Sequence, residues 1–377
     1  MPVYVKGVGM TKFGVHSKTS QELCYEAALE AIQDAEISLE NINAIVISRG
    51  DSTVDGERQR LFPSVISSIL QKENIPITQV TAACSGGGAA LWDAVHSGYG
   101  NVLVIGVEKL TQIPTKIVTD DLMIASERIY EQTEGLNFPA QNALVAQQYM
   151  MKYNATSDDL ALVALKNHDN AFLNPKARFF GKKVTLDMIK KSQMVASPLR
   201  LFDCSISVDG AAAAIISKDK SDIEIIGSSL YADRLPAFES KDMTSWEATK
   251  LAAAEAYKQA GIMAKDVNFA ELHDAFTSVE LMAYEDLGFI EKGKGRELIK
   301  KGVTKINGKL PVNASGGLKA KGHPVSATGV SQIYELVNQM RKRAEKRQIN
   351  NTKIGLAHNV GGAGSTATVH ILKNIGG

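Results

Sequence analysis

Residues Thr19–Ile37 read TSQELCYEAALEAIQDAEI, and residues Thr244–Ile262 read TSWEATKLAAAEAYKQAGI. Nine of the nineteen positions are identical at a fixed offset of 225, from 19 to 244. Each copy opens on a Thr-x-x-Glu capping-box pattern, Thr19 to Glu22 and Thr244 to Glu247, and continues as an alanine-rich helix. A strand pattern follows each, Asn43–Ser48 (NAIVIS) and Asn268–His273 (NFAELH). The offset sets His273 where Ser48 stands, at the strand's C-terminal end. The next units correspond too. Thr81–His96 reads as strand end, turn and helix, and Val312–Val337 does the same with the glycine-rich turn Ser315-Gly316-Gly317 and a longer loop. Asn101–Val107 and Lys353–His358 both read as short buried strands. Repeated strand–helix alternation predicts two similar α/β halves, 1–220 and 221–377, with chemistry gathered at the carboxyl ends of strands.

Residues about 111–195 have no counterpart in the second half. They are polar, carry turn formers (Pro114, Gly135, Pro139, Asn174-Pro175) and include an amphipathic pattern over Gln141–Lys152. They read as an insertion over the active-site face.

Working outward, Val80-Thr81-Ala82-Ala83-Cys84-Ser85-Gly86-Gly87-Gly88-Ala89-Ala90-Leu91 places one cysteine between a β-branched apolar run and a helical pattern. A thiol at such a turn lies near unpaired N–H groups and the positive end of the helix dipole, which favour its thiolate. The setting resembles a nucleophile elbow without spelling G-x-S-x-G. The other reading is a buried structural cysteine.

Composition narrows the class. The chain has 377 residues, 44% hydrophobic, with net charge +1. Near-neutrality gives no global argument for nucleic-acid or membrane binding, and no apolar run is long enough to span a bilayer. Met1–Lys6 reads as a strand rather than a signal peptide, and Asn374–Gly377 is not a peroxisomal address. Three scattered cysteines, Cys24, Cys84 and Cys204, argue against a disulfide framework, and no C-x-x-C pair suggests zinc. A cytoplasmic protein without a metal site is expected. The basic run Arg341–Arg347 reads as a solvated helix end. Gly7-Val8-Gly9 does not continue as a dinucleotide fingerprint, because Lys12 stands where the third glycine belongs.

Four motifs stand at strand ends or in the loops after them: Cys84-Ser85-Gly86, His273-Asp274-Ala275-Phe276, Gly322-His323-Pro324 and His358-Asn359-Val360-Gly361-Gly362. A thiol with imidazoles and oxyanion donors points to acyl-thioester chemistry. Here the chain resembles the thiolase superfamily, and within it the sterol-carrier-protein-2-type and archaeal acetyl-CoA acetyltransferases. The likeness runs through VTAACSGGGAAL (80–91), SISVDGAAAAIIS (205–217), ELHDAF (271–276), NASGGLKAKGHPVSATG (313–329) and HNVGGAGSTATVHIL (358–372).

The resemblance implies a five-layered αβαβα fold of duplicated βαβαβαββ halves with an inserted loop domain, about 118–196. It implies a homodimer or tetramer that uses coenzyme A thioesters and needs no further cofactor. Carried over by motif, Cys84 is the nucleophile and His323 its general base. His273 helps hold the thioester oxygen of the second substrate. The N–H groups of Cys84 and of the Gly361-Gly362 turn form the other oxyanion hole. Ser205 contacts the pantetheine arm, and Ser315 and Gly316 count among the substrate-binding residues.

Two departures stand out. Many thiolases carry a second reactive cysteine in a C-x-G motif, and His358 is read at that position here. Sterol-carrier-type enzymes have a cysteine inside HDCF, where this chain has Ala275. His358 is therefore the candidate second acid/base, since imidazole titrates near neutrality. The alternative makes it a structural residue and leaves both tasks to His323. The expected activity is condensation of two acetyl-CoA to acetoacetyl-CoA and CoA through an acetyl-cysteine, feeding the mevalonate pathway. The resemblance also implies association with hydroxymethylglutaryl-CoA synthase through a small OB-fold protein that carries a zinc ribbon. The competing readings are another thiolase-fold condensing enzyme, or a thiolase-like acyl-CoA- or lipid-binding scaffold without turnover.

Overall fold

The computed structural model describes residues 2–50, 57 and 59–376, so Met1 and Gly377 of the terminal readings lie outside it. The first half runs β1 (Val3–Met10), α1 (Ser20–Asp34), β2 (Ala44–Arg49), α2 (Phe62–Leu70), β3 (Ile77–Val80), α3 (Gly86–His96) and β4 (Asn101–Glu108). The insertion holds α4 (Thr115–Leu122), α5 (Phe138–Tyr153), α6 (Ser157–Phe172), α7 (Leu186–Lys191) and a small ribbon, β5 (Met194–Ala196) with β6 (Leu199–Arg200). β7 (Gly210–Ser217) closes this half. The second half runs β8 (Ile223–Ala232), α8 (Glu247–Ala260), β9 (Phe269–Glu271), α9 (Thr277–Asp286), α10 (Gly295–Lys300), α11 (Thr328–Met340), β10 (Ile354–Gly361) and β11 (Thr366–Asn374).

The strands form one sheet in the order β3-β2-β4-β7-β1-β8-β11-β10-β9. Read outward from its middle, both sides follow one sequence: first strand, last, fourth, second. The third place is β3 on one side and a single parallel bridge, Ala270 to Val312, on the other. The halves join where Val3, Tyr4 and Val5 pair antiparallel with Ile225, Glu224 and Ile223. The duplication read in the sequence is thus a duplication of topology.

Strand alternation builds the layers, because successive side chains point to opposite faces. Ile45 and Ile47, Leu103 and Ile105, and Ala211 and Ala213 face an outer core with α1 and α2. Their neighbours Ala44 and Val46, Val102 and Val104, and Ala212 and Ala214 face a middle core filled by α3 and α11. On the far side Leu356, Val360, Val369 and Ile371 face a third core with α8 and α9. Three cores alternating with two half-sheets give the expected αβαβα stack. Strands buried on both faces explain their near-continuous apolar sequences.

Two sequence expectations change. Thr19 and Glu22 do form a capping box, but Thr244 and Glu247 do not. α8 begins at Glu247, and the Thr244 hydroxyl donates to Asp242 Oδ1 at 2.6 Å. The carboxylate of Asp286 caps α8 from α9, accepting from Trp246 N–H at 2.9 Å and Ser245 O–H at 2.8 Å. The Arg341–Arg347 run is a solvated end only in part: Lys342, Arg343, Glu345 and Lys346 are exposed, but Arg341 and Arg347 are not. Arg341 forks onto Asp222 at 2.7 and 2.8 Å and reaches Asp34 at 2.8 Å. Arg347 is buried against Glu335. These pairs fasten the end of α11 to both halves.

The insertion is tied down by buried charge. Lys166 of α6 pairs with Glu280 of α9 at 2.8 Å, their side chains only 2% and 0% exposed. Glu280 Oε2 also accepts from Asn167 at 2.6 Å and Asn313 at 2.8 Å. Removing one member of such a pair leaves the other charged and dry. Lys166→Met is expected to destabilise by about 3–5 kcal/mol, and Lys166→Met with Glu280→Gln by less. Chemical denaturation measures both.

Candidate active site

β3 delivers the chain into a single tight turn, Ala83–Ser85, from which α3 starts at Gly86. Ala83 is held at φ +47°, in the left-handed region that non-glycine residues avoid. The turn can sit there because α3 and α11 nearly touch at their beginnings. A Cβ on Gly87 would lie 2.8 Å from the Ser326 carbonyl, and one on Gly329 would lie 2.2 Å from Gly88 N. The glycines after Cys84 therefore set how closely the two halves approach.

Cys84 is half-buried and packs against the cluster of Leu110, Val118 and Val325, as Ile113 and Leu122 do. Two cavities, of about 300 and 450 Å³, meet at it. The first is walled by Ser205, His273, Ala275, Phe276, His323 and Gly362, and on the insertion side by Thr119, Leu122, Phe138 and Asn142. The second holds Arg49, Thr81, Glu108, Leu235 and Gly361.

Electrostatics revises one expectation. The turn does offer N–H groups, and those of Gly362 and of Cys84 itself favour the thiolate. Burial outweighs them and, with the Glu108 carboxylate adding to the effect, pushes the thiol up to about 12. Loss of hydration is a larger cost than two oriented dipoles recover. Cys84 rests as a thiol and needs a base.

His323 lines the same cavity. Burial, with the nearby Lys321 charge, lowers it to about 3, so the ring is neutral. Its Nδ1 lies 2.7 Å from Thr328 Oγ1, whose own proton goes to the Pro324 carbonyl at 3.2 Å. With that proton on the Pro324 carbonyl, Nδ1 is the N–H donor, and Nε2 keeps a bare lone pair. The His323 and His273 rings meet edge to face, centroids 5.5 Å apart at 86°. His273 is also neutral, lowered chiefly by burial.

Asp274 locks the loops that carry both rings. It accepts from Leu318 N–H at 2.6 Å, Lys319 N–H at 3.3 Å and Asn167 Nδ2 at 2.7 Å. Gly317, at φ +61°, leaves room for it, since a Cβ there would fall 2.3 Å from a carboxylate oxygen. Glu108 does the same work from the first half. It accepts from Ser326 Oγ at 2.7 Å and Gly50 N–H at 3.3 Å, and burial raises it to about 7.

The structure brings together Cys84, His273, His323, Ser205 and Gly362 around one cavity, with Gly361 in the second. It does not bring Ser315, Gly316 or His358 there. Ser315 gives its hydroxyl to Glu271 at 2.5 Å and is fully buried. Gly316 packs on Ala171 of α6, where a Cβ would come within 2.5 Å of the alanine Cβ. That turn anchors the insertion, with Asn174 Nδ2 donating to the Ser315 carbonyl at 2.9 Å. His358 shares strand parity with Leu356 and Val360, so it points into the outer core, where Nε2 meets Thr249 Oγ1 of α8 at 3.0 Å. Asn359, on the opposite parity, points inward to Cys84 and His273. The C-x-G spacing counted from Gly361 also falls on Asn359, one residue beyond His358.

Asn359, Thr328, Asp274 and Glu108 had no role in the sequence reading. Only Asn359 left a signal, the N-x-G spacing. Among the described residues, no group of His, Cys, Asp and Glu could hold a metal ion, and no helix is long and apolar enough to cross a membrane.

Five buried imidazoles set an acid limit on stability. His168, His323 and His358 sit at about 3, His370 at about 4, and His273 well below its ordinary 6.5. Unfolding frees them to bind protons, so stability falls as pH drops below 6.5. Glu108 and Glu271, raised to about 7, oppose this until pH reaches their ordinary 4.5. The melting temperature is expected to fall gently from pH 6.5 to 4.5 and steeply below, which calorimetry checks.

Comparison with known proteins shows the family. The "Thiolase, N-terminal domain" family matches residues 3–220, and "Thiolase C-terminal domain-like" matches residues 232–374.

The chain belongs to the thiolase superfamily.

It is 39% identical to the acetyl-CoA acetyltransferase of Methanothermobacter thermautotrophicus, over 98% of each chain. It is 33% identical to sterol carrier protein 2 of Bos taurus, covering 96% of this chain and 70% of that one. Among solved structures, the Ltp2-ChsH2(DUF35) aldolase superposes with a TM-score of 0.83 at 24% identity, over 99% of this chain and 98% of that one. The protein is a thiolase-type acyltransferase.

Proposed function

We propose that this thiolase is an acetyl-CoA C-acetyltransferase that condenses two acetyl-CoA to acetoacetyl-CoA and CoA. The observation that carries the reading is Cys84 on its elbow, sharing a cavity with His323, whose Nε2 lone pair is free. The similarity to the acetyl-CoA acetyltransferase of Methanothermobacter thermautotrophicus supports acetyl as the acyl group.

Cys84 Sγ attacks the acetyl carbonyl while its proton passes to His323 Nε2. The oxyanion is held by the N–H groups of Cys84 and Gly362. The carbonyl–sulfur bond to coenzyme A breaks, and His323 returns the proton to the leaving thiolate. A second acetyl-CoA then gives an α-proton to His323, with its enolate oxygen at His273. The carbanion attacks acetyl-Cys84, acetoacetyl-CoA forms, and Cys84 recovers its proton from His323. Holding the reactants in one site supplies most of the entropic advantage. His323 carries every proton, because Asn359 and not a thiol stands at the C-x-G position.

The same proposal makes it a cytoplasmic homo-oligomer that feeds the mevalonate pathway. Hydroxymethylglutaryl-CoA synthase and a zinc-ribbon OB-fold protein are its partners, since a consuming enzyme draws an unfavourable condensation forward. Thiolysis of acetoacetyl-CoA compared with longer 3-ketoacyl-CoA thioesters tests the activity. No thiolysis of any of them overturns it, and a preference for long chains overturns acetyl specificity. Native purification with no partner attached overturns the association.

A further inference from the structure

We propose that Asn359 is a positioning residue that keeps the proton of His273 on Nε2, making His273 a fixed hydrogen-bond donor to the enolate oxygen. This rests on the thiolase reading above and deepens it.

The Asn359 side chain has only one orientation that satisfies its neighbours. Gly88 N–H, near the start of α3, donates to Oδ1 at 3.2 Å. The carbonyl of Cys84 can only accept, and Nδ2 donates to it at 2.9 Å. Two partners of opposite kind thus assign the amide oxygen and nitrogen independently. The same Nδ2 faces His273 Nδ1 at 3.1 Å. A donor there requires Nδ1 to accept, so the one proton of the neutral ring sits on Nε2.

His323 is set the opposite way by Thr328, with its proton on Nδ1 and its lone pair on Nε2. Two adjoining neutral imidazoles of the same cavity therefore have distinct roles. One can only give a hydrogen bond at Nε2, and the other can only take a proton there. A carboxylate at 359 would reverse the first ring. It accepts rather than donates, so the proton would move to Nδ1 and a lone pair would meet the enolate oxygen. The asparagine is 1% exposed, so water does not compete for these bonds.

The test uses the full chain labelled at its histidine ring nitrogens, with three readings. NMR of the wild type locates the His273 proton, the signal being assigned with His273→Gln. Exchange of acetyl-CoA methyl protons with deuterated water reports enolisation. Mass spectrometry of acetyl-Cys84 after brief mixing with acetyl-CoA reports acylation. The expected result is an Nε2 proton in the wild type and an Nδ1 proton in Asn359→Asp. Methyl exchange in that variant should fall about 100-fold or more, and at least about tenfold more than acylation. A general loosening of the site would slow both steps alike and leave the tautomer unchanged. A wild-type proton on Nδ1 overturns the proposal even if the variant fails to fold, and so does unaltered exchange in a folded variant. Absence of acetyl-Cys84 in the wild type would overturn the proposed activity instead, while the tautomer still decides the role of Asn359.

Discussion

Cys84→Ala will lower acetoacetyl-CoA thiolysis by about 10⁴-fold or more, and no acetylated peptide will form. The size follows from the absence of a substitute. Among the described residues Cys24 is fully buried, and burial raises it still further than Cys84. Cys204 lies in the cavity wall, but its thiol is raised to about 11 and stands 3.5 Å from the Arg200 carbonyl. Neither sits on the elbow where the N–H groups of residues 84 and 362 converge. Serine at 84 would fare little better, because a hydroxyl is a weaker nucleophile and this site already disfavours the anion. The fold should persist. Alanine removes one sulfur from a half-buried position, and the shift in stability should stay under about 1.5 kcal/mol. Thiolysis within tenfold of wild type, with intact melting behaviour, would remove Cys84 from the mechanism.

His323→Ala should cost about 10³-fold in both directions. The thiol at about 12 cannot ionise unaided near neutrality, so every turnover depends on a base beside it. A neutral imidazole at about 3 does not form a resting ion pair with it. Proton transfer must accompany attack on the carbonyl, with the oxyanion holes lowering the barrier. Enolisation and acylation should therefore slow together in His323→Ala, whereas Asn359→Asp should separate them. Thr328→Val offers a milder version, removing the acceptor that holds His323 Nδ1–H. A His323→Ala enzyme that still acetylates Cys84 at the wild-type rate would move the base elsewhere.

Much of this protein was legible in its sequence. The repeat of Thr19–Ile37 at Thr244–Ile262 fixed two equivalent halves, since alternating apolar periods need no knowledge of the fold to be read. The Cys84 turn and the HDAF and GHP motifs lay where glycine and strand patterns could mark them. Other features depend on neighbours far apart in the chain. The second capping box failed because Asp286, 40 residues away, caps α8 instead.

The sharpest case is the pair His358 and Asn359. Sequence placed both at one motif, and imidazole was the more reactive candidate. A strand sends consecutive side chains to opposite faces, so only the paired sheet could decide which of them looks at Cys84. The same holds for the thiol itself. Sequence determined that Cys84 stands at a helix start, where dipoles favour its anion. Tertiary structure decided that the packed walls around it favour the neutral form more strongly, because desolvation depends on everything that surrounds an atom and local sequence specifies only a part of that.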